Sequence, residues 1–214
     1  MTEALKEVGA YIAHMQGLEF LALVFGLLAV LLLIKENIWT WPTGIVYCII
    51  SFFTFWDAQL YGDFIIHIYF FLLNIYGWYV WLGKKSDRSA DELLVTTLDI
   101  RGQITWLLVT IVSVFLFARL LITLPSIFPA MEPASLPYWD SITSMLSITG
   151  MWLTARKKID NWYYWLVVDV IATGVYWYKG LYFYSVLYFI YIFFAIAGYL
   201  AWKKSLSSEP DMSN

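Results

Sequence analysis

Seven apolar runs, each long enough or nearly long enough to cross a bilayer as a helix, constrain this chain more than any other feature. They cover Leu18–Ile34, Trp41–Trp56, Phe64–Leu82, Ile104–Leu124, Trp139–Leu153, Trp162–Trp177 and Leu181–Trp202. A helix rises about 1.5 Å per residue and the hydrocarbon core is about 30 Å thick, so roughly 20 residues make one crossing. The shorter runs end in Trp and Tyr, whose amphipathic rings suit the interface. Composition agrees, with 61% of residues hydrophobic, 20% aromatic and 14% charged, against about 25% charged in soluble domains. Backbone polar groups in lipid must bond within their own segment. The expected fold class is therefore an all-α membrane protein with seven transmembrane helices.

The basic residues set an orientation. With the N-terminus outside, the inner loops collect Lys35, then Lys84, Lys85, Arg88 and Arg101, then Arg156, Lys157 and Lys158, then Lys203 and Lys204. Only Lys6, Arg119 and Lys179 remain outside. Positive residues favour the cytoplasmic side, so the expectation is N-out and C-in.

An internal repeat organises the spans. A shift of 121 residues, the separation of Trp41 from Trp162, also superposes Glu19 on Asp140, Lys35 on Arg156, Trp56 on Trp177 and Leu60 on Leu181. It continues with Tyr61 on Tyr182, Gly77 on Gly198 and Trp81 on Trp202. Each copy holds three spans and one more lies between them, so both copies cross in the same sense. The result is a 3+1+3 parallel repeat, related by an axis along the membrane normal, a plan in which solute sits at the repeat interface. The expected divisions are an N-terminal interfacial segment 1–17, a first three-helix repeat 18–82, a cytoplasmic linker 83–102, a linking helix 103–124, an outer loop 125–138, a second repeat 139–202 and a cytoplasmic tail 203–214. Residues 1–18 carry Glu3, Lys6, Glu7 and His14 without the basic start and cleavage site of a signal peptide.

Several functions are disfavoured. The lone Cys48 supplies neither an intrachain disulfide nor a multi-cysteine metal site. A net charge of −3, with no long basic segment, gives no nucleic-acid surface. No HExxH, GxSxG or P-loop pattern occurs, so the expectation is no catalytic residues, no metal, no cofactor and no enzyme activity. The expected partners are a small solute, membrane lipid and other copies of the chain.

Asp169 leads the candidate site residues, because an acid at mid-span costs about 2.5 kcal/mol or more unless it is paired, hydrated or protonated. Its helical stripe is Trp165, Asp169, Thr173 and Tyr176, which joins aromatic planes, a hydroxyl and a carboxylate. Such a face suits a cationic, hydroxylated, aromatic solute; the alternative is an Asp bonded to a neighbouring helix. On the third span His67, Asn74 and Trp78 share a stripe, with Phe70 and Phe71 beside it. Asn74 either bonds solute hydroxyls or joins helices, and His67 either faces solute or pairs with Asp63. The repeat places Tyr188 on His67 and Ala195 on Asn74, so the pocket is pseudo-symmetric and not identical in its two halves. Tyr184 and Tyr188 complete the candidates, with packing as their other reading. The Ser/Thr-rich helix after Asp140 either lines an aqueous path or packs closely.

Two segments carry a family resemblance. LYGDFIIHIYFFLLNIYGWYVW (Leu60–Trp81) and its repeat mate (Trp162–Trp202) resemble the Pnu-type vitamin transporters, above all in Asn74-Ile75-Tyr76-Gly77-Trp78-Tyr79 with Trp81, in Leu60-Tyr61, and in Asn161-Trp162 with Lys179-Gly180-Leu181. The likeness runs over nearly the whole chain beyond residue 18. It implies a fold shared in outline with SWEET sugar transporters, a homotrimer in the bacterial inner membrane, and facilitated diffusion of an unphosphorylated vitamin that cytoplasmic phosphorylation then traps. Nicotinamide riboside is the first substrate implied and thiamine the alternative, both being cationic aromatic rings with hydroxyls. Nicotinamide riboside carriers of the family often have Gln at the position of His67 and Asn at that of Asp169, so the chain departs from them there. A non-transporting sensor or scaffold is the remaining alternative.

Overall fold

The computed structural model describes residues 2–14, 17–57, 61–86, 93–128 and 133–207. Its helices are α1 (Thr2–His14), α2 (Gly17–Ile34), α3 (Thr40–Asp57), α4 (Tyr61–Ser86), α5 (Ile100–Ile127), α6 (Pro137–Ala155), α7 (Asn161–Tyr178) and α8 (Tyr182–Ser207). The fold is all-helical; each apolar run falls within one of α2 to α8, except that the last begins one residue ahead of α8, at Leu181. By length and composition α2, α5 and α8 are apolar enough to cross a membrane. The apolar part of α3, Thr40–Thr54, is shorter.

Helix ends depart from the expected boundaries. Helix α4 continues through Gly83 to Ser86 and α5 begins at Ile100, so both trim the 83–102 linker. Helix α5 runs past Pro125 to Ile127, where Phe128 N still donates to Leu124 O at 2.8 Å. Helix α8 carries Lys203 and Lys204 on to Ser207, into the expected tail. Apolarity marks where a helix leaves lipid, whereas the helix ends only where its backbone bonds end. Leu60 and Arg88 lie outside the described residues, as do the side chains of Trp56, Tyr61 and Asp63 and therefore the His67–Asp63 pair.

Helix α3 packs between α2 and α4, and α7 between α6 and α8. The two groups meet where α4 lies on α6 and α2 on α8, while α5 packs on α6 and α1 on α8. The turns α2–α3 and α6–α7 share one geometry. Glu36 and Lys157, 121 residues apart, are left-handed with φ of 52° and 54°. Glu36 N and Asn37 N donate to Leu33 O and Leu32 O, and Lys157 N and Lys158 N donate to Thr154 O and Leu153 O, each at 2.9 Å. This is the capping pattern that glycine usually serves.

Beyond these turns, tryptophans fill the same end of the bundle. Gly77 and Gly198 leave room for the indoles of Trp41 and Trp162, which occupy the space a Cβ would need. Trp41 meets Trp81 edge-on at 5.3 Å, and Trp162 meets Trp202 edge-on at 5.6 Å, the geometry that ring quadrupoles favour. Trp81 and Trp202 then touch each other at 6.3 Å, and Trp202 Nε1 donates to Leu33 O at 3.0 Å.

A segment between α4 and α5 closes this end. Val95 is buried within the tryptophan cluster, Thr96 N donates to Lys157 O at 3.1 Å, and Ile159 N donates to Thr96 O at 2.9 Å. Asp160 accepts from Leu98 N at 2.8 Å and from Gln103 Nε2 at 3.1 Å. Asp99 caps α5 by accepting from Gly102 N at 3.0 Å.

Candidate substrate-binding site

Asp169 is 5% exposed on α7, and its carboxylate makes no hydrogen bond or ion pair among the described residues. The alternative of an Asp bonded to a neighbouring helix therefore finds no support here. An unpaired acid is costly in a low-dielectric interior, which is why intramembrane acids mark places where a cation, water or a proton is expected. Thr173, one turn on, spends its hydroxyl on Asp169 O at 2.7 Å, while its own carbonyl accepts from Ser185 Oγ at 2.8 Å. The second bond ties α8 to α7 one turn beyond Asp169.

Aromatic rings from four helices surround this region. Tyr176 stacks on Tyr188 at 5.2 Å and meets Tyr184 at 5.6 Å. Tyr188 meets Tyr191 edge-on at 5.8 Å. The Asp169 carboxylate and the Tyr47 phenol on α3 lie within electrostatic reach of both Tyr188 and Tyr191. Tyr47 Oη in turn lies 3.4 Å from His67 Nε2 on α4, and His67 packs edge-on against Phe70 at 5.7 Å. Gly26 on α2 faces both Tyr47 and Tyr191: a Cβ there would make ordinary contact, 3.5 Å from the Tyr47 ring and 3.6 Å from Tyr191 Oη.

The structure thus brings together Asp169, Tyr176, Tyr184, Tyr188 and His67. Of the remaining candidates, Asn74 and Trp165 make other contacts. Asn74 is 5% exposed, donates to Phe70 O at 2.9 Å, and fills the space left by Gly44 on α3. The hydrogen bond stays within α4, while the approach to Gly44 packs α4 against α3. Trp165 donates to Thr154 Oγ1 at 3.2 Å and lies 3.3 Å from where a Cβ on Gly150 would stand, so its indole N–H already serves the α6–α7 contact. Trp78 is 36% exposed and makes no ring contact or hydrogen bond among the described residues.

Tyr47, Tyr191 and Gly26 escaped the sequence reading. Tyr191 had a signal, because Tyr184, Tyr188 and Tyr191 recur at i, i+4 and i+7 on one helix face. Tyr47 and Gly26 had none, since their role arises only where α2, α3 and α8 meet.

A multi-pass helical bundle whose buried acid, without a partner among the described residues, lies near tyrosines of α3 and α8 has the makings of a small-solute transporter. Comparison with known proteins agrees. The nicotinamide mononucleotide transporter family matches residues 16–204, and the chain belongs to that family. It is 31% identical to the nicotinamide riboside transporter PnuC of Escherichia coli (strain K12), over 92% of this chain and 90% of that one. It is also similar to the riboflavin/roseoflavin transporter RibM of Streptomyces davaonensis, 27% identical over 70% of this chain and 67% of that one. The crystal structure of the vitamin B3 transporter PnuC shares the fold, with a TM-score of 0.71 and 18% identity across 97% of this chain and 91% of that one. The chain is therefore a membrane transporter and not an enzyme.

Proposed function

We propose that this protein carries nicotinamide riboside across the bacterial inner membrane by facilitated diffusion, and that cytoplasmic phosphorylation traps the solute. The observation that carries the reading is the buried Asp169 carboxylate, with no partner among the described residues, within electrostatic reach of Tyr188 and Tyr191, on the first of which Tyr176 stacks. Nicotinamide riboside offers what that site lacks: a permanent cationic ring for the carboxylate and the ring faces, with ribose hydroxyls for Tyr47 and His67. Two opposite charges about 4 Å apart attract by about 4 kcal/mol at an effective dielectric of 20, before desolvation is subtracted. Thiamine, the alternative weighed on the sequence, is not favoured, because similar relatives are nicotinamide riboside transporters.

The architecture we infer is the 3+1+3 parallel repeat, with α2–α4 and α6–α8 as the repeats, α5 as the linking helix, N-out and C-in, in a homotrimer. The matched turns, the matched Trp–Gly contacts and the reciprocal packing of α2 on α8 and α4 on α6 support the repeat, and the distribution of basic residues supports the orientation. In this orientation the tryptophan end faces the cytoplasm, α1 lies at the outer interface, and Asp169 sits between the two.

Uptake of radiolabelled nicotinamide riboside into proteoliposomes tests the mechanism. Equal inner and outer concentrations should be reached without any ion gradient, and accumulation should appear only when a kinase and ATP are sealed inside. Accumulation driven by a proton or sodium gradient alone would replace the facilitator with a coupled carrier.

A further inference from the structure

We propose that Glu36 and Lys157 are the inner gate of the transport path, an ion pair between the two repeats that opens each time solute leaves toward the cytoplasm. The proposal rests on the orientation and transport reading given above.

Repeat equivalence is the first observation. Glu36 and Lys157 are counterparts under the internal shift, yet they bear opposite charges, and Lys157 Nζ lies 2.8 Å from Glu36 Oε2. Two copies of one turn are thereby joined across the axis that relates them. Both residues hold left-handed backbones, a conformation that strains any residue with a Cβ and that glycine adopts freely. Charged side chains stand at two positions where the local backbone alone favours glycine. The pair itself supplies a reason for keeping them.

Surroundings distinguish this pair from an ordinary surface bridge. Its side chains are 11% and 20% exposed, and Lys157 Nζ also lies 5.0 Å from the Trp81 ring on the first repeat. The segment around Thr96 grips the Lys157 carbonyl and the Ile159 amide, so the α6–α7 turn is held while the α2–α3 turn meets it through Glu36. A second ion pair, Lys179 with Asp140 at 3.2 Å, joins the end of α7 to α6 within the second repeat and does not bridge the halves. For solute to pass between the repeats at the cytoplasmic end, the halves must part there. A partly hydrated ion pair separates more readily than interlocked indoles and can re-form in one geometry, as alternating access requires.

A cross-link separates a gate from a structural staple. In a Cys48→Ala background, cysteines placed by Glu36→Cys and Lys157→Cys are joined with a short bis-methanethiosulfonate reagent, and uptake of nicotinamide riboside is measured before and after reduction with dithiothreitol. Uptake should fall at least tenfold on cross-linking and return on reduction, while calorimetry still detects binding from the outer side. Unchanged uptake by the cross-linked protein would overturn the proposal. A second arm needs no substrate: spin labels at the exposed Lys35 and Arg156 positions should move apart when Glu36→Lys sets two cations against each other, and return in the charge-swapped Glu36→Lys/Lys157→Glu protein. An unaltered separation in the Glu36→Lys protein would equally refute the gate. If the separation responds but the parent protein takes up no nicotinamide riboside, the substrate assignment fails and the gate stands.

Discussion

Gly198→Ala should destabilise the protein, although alanine is the better helix former. Gly198 lies inside α8, where a Cβ would run into Cη2, Cζ2 and Cζ3 of the Trp162 indole. That indole has no free direction, since Trp162 is 2% exposed and wedged edge-on against Trp202. Overpacking of this kind costs about 1–3 kcal/mol, and a rigid ring between two helices puts it at the upper end. The helix propensity of alanine over glycine returns about 1 kcal/mol, which leaves a net loss of roughly 1–2 kcal/mol. At about 2–4 °C per kcal/mol for a chain of this size, tryptophan fluorescence melting in detergent should show a fall of roughly 2–8 °C. Gly174→Ala is the internal control, because a Cβ there meets nothing within 4 Å and only the propensity gain applies. Gly77→Ala, facing Trp41 in the equivalent contact, should lose as much as Gly198→Ala. A Gly198→Ala protein that melts at or above the Gly174→Ala protein would refute the packing argument.

Thr110 Oγ1 and Thr149 Oγ1 are 2.8 Å apart and form a buried bond from α5 to α6; a Thr110→Val, Thr149→Val double-mutant cycle should give a coupling of about 0.6 kcal/mol and at most ~1.7, and additive effects would mean that the bond contributes nothing. Asp160→Ala removes the acceptor for Leu98 N and Gln103 Nε2, so hydrogen exchange at the Leu98 amide should accelerate at least tenfold while the interior of α7 remains protected; equal exchange in both proteins would show that the segment is held by other contacts.

Much of the helical framework was legible because lipid writes it directly into hydropathy: each apolar run became the body of a helix, while helix ends, at Gly83, Pro125 and Lys203, continue past the apolar limit that hydropathy marks. The Trp41–Gly77 and Trp162–Gly198 contacts were foreshadowed by the internal shift, since a large residue and a glycine preserved together in both copies imply close packing. The site was legible only in part. Asp169 declared itself by being charged in an apolar run, but whether a side chain on a stripe meets solute or a neighbouring helix depends on the rotation of that helix and on what faces it. Asn74 shows this, because the missing side chain of Gly44 turns it into a helix contact. In the second repeat the equivalent positions hold Trp165 and Ala195, so neither the size nor the chemistry of the pair is repeated. Tyr47 and Gly26 belong to contacts between distant helices, which no periodicity along one segment encodes.

The most direct test of the account is a calorimetric titration of nicotinamide riboside into the detergent-purified protein, beside thiamine and riboflavin, with the parent and Asp169→Asn chains compared. Removing the charge should weaken nicotinamide riboside binding about ten- to hundredfold, equivalent to roughly 1.4–2.7 kcal/mol, without lowering the melting temperature, and neither other vitamin should match nicotinamide riboside on the parent protein. Equal affinity in the two proteins would contradict the claim that the buried carboxylate recognises the cationic ring, and preference for riboflavin, which carries no such cation, would contradict the substrate itself.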